Sequence, residues 1–203
     1  MRWRPLPPGG LQGLGPPVNA AFVFLLEDPR PGYLRARSGA MAERLIHGLC
    51  NRSDLRLHKD AGGRPMLPGS GLHVSLTHSG SCLAVALASR EVGVDIEYIR
   101  DPHRWLARYL WITDPAERHP DPSEQDFLAC WTGKEAILKM LPGGFDFGPE
   151  RVILSPARSD AWSTVAVDDR RFFLRCLPPW QNMAVTVALD GCAPVLPFLY
   201  PAP

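Results

Sequence analysis

Two carboxylates interrupt a stretch that otherwise reads as a buried strand. In VGVDIEYIR, Val92 to Arg100, the residues Val92, Val94 and Ile96 alternate onto one face. Gly93, Asp95 and Glu97 therefore share the other. Two residues of strand rise place the carboxylate stems roughly 7 Å apart. Like charges that close repel unless something positive lies between them. A fold for this chain must either leave that face in water or bring a positive group to it.

The surrounding pattern is mixed. Met1 to Pro17 holds five prolines and four glycines, which predicts an irregular lead-in. AAFVFLLE, Ala20 to Glu27, reads as a strand. From Arg35 to Cys50, Met41, Leu45 and Leu49 recur every fourth residue with Ile46 beside them, the signature of an amphipathic helix. AGGRPMLPGSG (Ala61–Gly71) is a turn-rich connector. HVSLT and LAVALA, joined by the tight HSGS, predict a hairpin, and the acidic run supplies a third strand.

In the second half, Ser123 with Asp126 three residues later forms a capping-box pattern ahead of EQDFLACWTGKEAILKML, and Pro142-Gly143-Gly144 stops it. RVILS, RFFLRCL and MAVTVAL read as further strands. LAVALAS (Leu83–Ser89) and MAVTVAL (Met183–Leu189) share Ala84/Ala184, Val85/Val185 and Ala88/Ala188, an echo consistent with duplicated lobes of about a hundred residues.

Bulk properties narrow the function classes. At 203 residues the chain suits one large domain or two half-size lobes. A net charge of +1 argues against a wholesale electrostatic nucleic-acid binder. Between Arg30 and Arg64, however, eight bases face three acids, a local excess of +5 that suits a small polyanion. The five cysteines are odd in number and form no C-x-x-C, which argues against a disulfide framework or a structural zinc site. The apolar runs are too short to span a membrane and no export signal is evident, so the cytoplasm is the expected location.

On the capped helix, Glu135 and Lys139 are four apart and share a face, with Trp131 a turn earlier and Lys134 adjacent in sequence. By itself this is a helix salt bridge worth a few tenths of a kcal/mol. Set beside the two strand acids, it also makes a plausible oxygen cage for a hard cation. Mg²⁺ favours carboxylates plus substrate phosphate oxygens over an all-protein shell.

These residues also carry a family resemblance. GVDIE (Gly93–Glu97), followed some forty residues later by WTGKEAILK (Trp131–Lys139), resembles the paired signature of the 4'-phosphopantetheinyl transferases. Upstream, GRP (Gly63–Pro65) and SLTHSG (Ser75–Gly80) are similar to that family's Gly-Lys-Pro and Ser-His-Ser-Gly segments. Order and spacing fit the surfactin-synthetase-activator type, and the short length with GVDIEYIR…RWLARY resembles its compact bacterial holo-acyl-carrier-protein synthase members. The matches run from about Arg35 to Leu141.

The resemblance implies an α+β pseudodimer of two similar α/β lobes with coenzyme A in the cleft between them. It divides the chain into a lead-in over 1–17, an N-terminal lobe over 18–98 and a C-terminal lobe over 99–203. It implies transfer of the phosphopantetheine arm of coenzyme A to a serine of an acyl or peptidyl carrier protein, with release of 3',5'-ADP. Asp95, Glu97 and Glu135 are then expected to hold Mg²⁺. Glu135 is also the candidate base, Lys139 the pyrophosphate lysine, Lys134 its helical neighbour at the same ligand, and Thr77 and His78 the phosphate contacts. Arg64 stands for the usual lysine of Gly-Lys-Pro, keeping the charge and adding a bidentate fork.

The family's helical Gly-Arg for the 3'-phosphate has no clean counterpart. Arg35, Arg37 and Arg44 are the alternatives for it, and spacing does not choose among them. The partners implied are coenzyme A and an apo carrier protein, with no nucleic acid or membrane, for a monomer. A non-catalytic module binding coenzyme A or the carrier, and a Mg²⁺-dependent phosphohydrolase, are the rival readings.

Overall fold

A computed structural model of the chain describes residues 1–98, 104–154 and 162–201. Its elements in chain order are strand β1 (Ala21–Glu27), helix α1 (Tyr33–Cys50), short strands β2 (His58–Lys59) and β3 (Pro65–Met66), and strands β4 (His73–Ser79), β5 (Cys82–Ala88) and β6 (Val92–Glu97). There follow helices α2 (Trp105–Ile112) and α3 (Glu124–Leu138), then strands β7 (Ser163–Val167), β8 (Arg170–Trp180), β9 (Met183–Leu189) and β10 (Val195–Tyr200). The class is mixed α+β. Ile99 and Arg100, the end of the acidic run, lie outside the described residues.

Two compact units result, Arg2–Val92 with Ala193–Pro203, and Gly93–Cys192. The division differs from the expected one at 98/99, for a hydrogen-bonding reason. β6 pairs with β9 rather than with the hairpin before it, and β10 returns to lie parallel to β1.

In the first unit the sheet order is β10-β1-β5-β4. The turn at Gly80-Ser81 links β4 to β5, and Gly80 takes φ 57°, a left-handed value that a side chain would resist. α1 buries Leu34, Met41, Leu45, Ile46 and Leu49 against Phe22, Phe24, Leu26 and Val85. Each such buried side chain contributes roughly 1.5–3 kcal/mol. Asn51, at φ 50°, ends the helix in the left-handed conformation. The lead-in is not merely loose chain. Arg4 exchanges backbone hydrogen bonds with Pro197 and Leu199 beside β10, and Leu11 seats directly on Gly48 of α1.

In the second unit the order is β6-β9-β8-β7, with α3 packed on β9. The capping box is present: Ser123 Oγ accepts from Asp126 N–H, and the Asp126 carboxylate accepts from Ser123 N–H. Ala136, Ile137 and Met140 pack with Val152, Val165, Phe172 and Leu174, while Tyr109 and Ile112 of α2 pack with Phe127 and Leu128. The Thr132 and Thr186 hydroxyls meet at 2.7 Å, tying α3 to β9. Residues 151–154, the described part of RVILS, are not a strand. Pro149–Arg151 forms a 3-10 turn, and the Pro149 and Val152 carbonyls accept from a buried lysine instead of joining a ladder. The echo segments become β5 and β9, each an interior strand of its own sheet.

Candidate active site

Gly93 sets the geometry of the acidic strand. A Cβ at this position would lie on the Ala136 carbonyl, 2.8 Å from its carbon, and 3.1 Å from Met140 Cγ. β6 therefore runs against the backbone of α3, closer than any side chain at position 93 would permit. Two residues on, Asp95 faces the helix, and its Oδ1 accepts from Lys139 Nζ at 2.7 Å. The same ammonium donates to the Val94 carbonyl at 2.9 Å. The Asp95 side chain is 7% exposed, so this strand face is buried and not wet. The positive group that Asp95 requires is the Lys139 ammonium.

Glu135, one turn before Lys139, is half-buried. Its carboxyl is pushed up to about 7, first by burial and then by the charges of Asp95 and Glu97, with Lys139 pulling the other way. Glu97 accepts from the Tyr98 N–H at 3.0 Å. Among the described residues no three His, Cys, Asp or Glu side chains are gathered into a ready-made metal cluster. Asp95, Glu97 and Glu135 thus form an electrostatically coupled set, with Lys139 on one of its members, and not a closed cage.

Lys134 corrects its expected role as a ligand contact. Its side chain is 1% exposed, and Nζ donates to the Pro149 carbonyl at 3.0 Å, the Val152 carbonyl at 2.6 Å and Glu117 Oε1 at 2.5 Å. An ammonium has three protons, and all three are engaged. It points into the unit's interior because residue 134 sits about 100° around the helix from residue 135.

Trp131 packs among aromatic rings, its centroid 5.9 Å from Phe127 and 6.1 Å from Phe145, with the Arg108 guanidinium 5.9 Å away. Glu117, which no motif flagged, is a functional candidate found only in the structure. It sits in the polar run TDPAERHP, where a buried acid leaves no periodic trace.

The remaining expected residues lie in the first unit. Arg64 is within 4.0 Å of Asp60 and 3.9 Å of Glu91, and its backbone N–H is held by Asp60 at 2.8 Å. Thr77 and His78 are consecutive on β4, with His78 exposed. Arg37 and Arg44 are seven apart on α1, two turns along one exposed face, and the Arg37 guanidinium lies over the Tyr33 ring at 4.8 Å. Arg35 lies around the helix from both.

Comparison with known proteins identifies the family. Residues 91–182 match the family model described as the 4'-phosphopantetheinyl transferase superfamily. The "4'-phosphopantetheinyl transferase AcpT" of Escherichia coli O157:H7 is 32% identical over 171 residues, 81% of this chain and 71% of that protein. The protein of the same name from Escherichia coli strain K12 matches to the same extent. This chain belongs to the 4'-phosphopantetheinyl transferase superfamily. A Bacillus subtilis 4'-phosphopantetheinyl transferase is 28% identical over 87 residues, 40% of this transferase and 39% of its own length. The matched span in the family model takes in β6, α3 and β8, and so contains Asp95, Glu97, Glu135 and Lys139 of the transferase.

Proposed function

We propose that this enzyme moves the 4'-phosphopantetheine group of coenzyme A onto a serine hydroxyl of an acyl or peptidyl carrier protein. The observation that carries the reading is the set of buried Asp95 with half-buried Glu135 and Lys139, brought together by the close approach of β6 to α3 at Gly93. In the reaction the serine oxygen forms a bond to the β-phosphorus of coenzyme A. The bond from that phosphorus to the bridging oxygen breaks, and 3',5'-ADP leaves. The serine proton passes to Glu135, directly or through water. Burial raises this carboxyl to about 7 in the cation-free site, and a bound cation would lower it, leaving a carboxylate able to accept the proton at neutral pH. Lys139 offsets charge on the pyrophosphate.

Three carboxylates supply oxygen donors, and the charges of Asp95 and Glu97 still raise Glu135 despite Lys139; that chemistry fits a hard divalent cation, and Asp95, Glu97 and Glu135 would hold Mg²⁺ here. When bound, Mg²⁺ supplies neutralisation of the negative charge that develops on the phosphate oxygens. A complete protein cage is unnecessary, because Mg²⁺ usually keeps substrate oxygens and water in its shell.

Arg64, Thr77, His78 and the Arg37–Arg44 face of α1 are proposed to hold the phosphates and adenosine end of coenzyme A. A four-stranded sheet in each unit, with α1 in the first and α2 and α3 in the second, and the echo segments as interior strands, supports the reading of two duplicated lobes.

The test is intact-mass analysis of an apo carrier protein incubated with coenzyme A, Mg²⁺ and the enzyme. A gain of one phosphopantetheine supports transfer. Phosphate release from coenzyme A without carrier would indicate a phosphohydrolase, and neither outcome would indicate a binding module.

A further inference from the structure

Glu117 and Lys134 form a buried ion pair that the proposed chemistry leaves unused. Their side chains are 3% and 1% exposed. The second Glu117 oxygen accepts from the Leu154 N–H at 3.0 Å, so the carboxylate bridges α3 to the chain after the Pro149–Arg151 turn. The loop bearing Glu117 is itself fixed. Asp114 accepts from the Ala116 N–H at 2.8 Å, Arg118 donates to the Leu110 and Thr113 carbonyls, and His119 N–H donates to the Tyr109 hydroxyl at 3.0 Å. Lys134 is thereby clamped from two sides, by Glu117 and by the Pro149 and Val152 carbonyls.

We infer that Glu117 is a positioning residue of the proposed transfer: by holding Lys134 it fixes the rotation of α3, and so the places of Glu135 and Lys139. The inference rests on the transfer reading given above. Lys134 and Glu135 are neighbours on one helix, so a turn of α3 that loosens the first moves the second. At a side-chain radius of roughly 5–6 Å, a rotation of about 20° displaces the Glu135 carboxylate by about 2 Å. Misplacement of a reacting group by about 1 Å can cost on the order of 100-fold in rate. Replacing a buried ion pair with apolar groups of similar volume is often neutral for stability, which allows the positional role to be separated from the structural one.

The experiment uses the full chain with Glu117→Leu/Lys134→Met together, and Glu117→Gln as a milder second variant. Both are assayed at a temperature where near-ultraviolet circular dichroism matches that of the native enzyme. Positioning predicts a fall in kcat of about 10- to 100-fold in the double variant, a smaller fall in Glu117→Gln, and a rise in the Mg²⁺ concentration for half-activation. KM for coenzyme A should rise by less than kcat falls, because Glu135 takes the proton only in the transition state whereas Lys139 also meets the bound pyrophosphate. Native kcat in the folded double variant would overturn the inference, as would a raised KM with unchanged kcat, which would make Lys134 a ligand contact. A crystal structure of the double variant gives a readout independent of activity. Loss of the Lys139–Asp95 contact supports the inference and its retention contradicts it. Absence of transfer by the native enzyme would instead refute the transfer reading.

Discussion

Replacing Gly93 with alanine tests whether the close approach of β6 to α3 builds the site. The added Cβ would sit on the Ala136 carbonyl, 2.8 Å from its carbon. Comfortable carbon–carbon contact begins near 3.5 Å, and the carbonyl oxygen is nearer still, so strand and helix must part by on the order of 1 Å. The obstacle is helix backbone and cannot swing aside as a side chain would. Overpacking of this kind costs roughly 1–3 kcal/mol, and the rigid neighbour places the cost near 3. That corresponds to a fall in Tm of roughly 6–12 °C for a chain of this length. Gly93 does not have a positive φ, so alanine meets no backbone strain there. Its lower chain entropy in the unfolded state would otherwise stabilise by about 0.4–1 kcal/mol. The sign of the effect thus separates crowding from backbone preference. A 1 Å retreat of β6 also breaks the 2.7 Å contact between Asp95 and Lys139, and transfer should fall about 100-fold. Thermal denaturation followed by circular dichroism, with a transfer assay well below Tm, measures both. A Gly93→Ala protein with unchanged or raised Tm and native activity would refute the reasoning.

Glu135→Gln should lose at least about 100-fold in kcat while Lys139→Arg keeps measurable transfer, because a guanidinium preserves the charge; steady-state kinetics of both variants decide the ranking. In chelator-treated buffer the raised Glu135 pKa means that the native state keeps a proton that the unfolded state releases. Stability should therefore fall as pH rises from about 4.5 to about 7, by on the order of 3 kcal/mol, and Glu135→Gln should flatten that slope in denaturant titrations. Arg64→Ala, Arg37→Ala or Arg44→Ala should raise KM for coenzyme A more than each lowers kcat. At least one of them should also discriminate less against dephospho-coenzyme A, as read from paired KM values.

Much of the scaffold was legible because local signals agree with the fold. The four-residue spacing of Met41, Leu45 and Leu49, the Ser123–Asp126 cap, and the hairpin turned at Gly80-Ser81 each specify a local structure that tertiary packing keeps. α2 was not read as a helix, since Leu106, Leu110 and Trp111 point outward and blur its apolar face. β10 carries Pro197 and runs parallel to β1 across a long separation in the chain, so no local pattern announces it.

At the site, the identities of Asp95, Glu97, Glu135 and Lys139 were visible in the motifs. Their environment was not. Strand alternation shows that Gly93 and Asp95 share a face, but not that the face lies against helix backbone. Spacing likewise places Lys134 beside Glu135 without revealing Glu117, seventeen residues upstream, as the charge it meets.

The central claim is that Asp95 and Glu135 support a cation-dependent transfer from coenzyme A to a carrier serine. Intact-mass spectrometry of an apo carrier protein, with native enzyme, Asp95→Ala and Glu135→Gln in parallel, with Mg²⁺ and with chelator, tests it most directly. The account predicts complete conversion to the phosphopantetheinyl form by native enzyme with Mg²⁺, none with chelator, and conversion slowed by at least about 100-fold in both variants. Conversion by Asp95→Ala at the native rate, or by native enzyme in the presence of chelator, would contradict it.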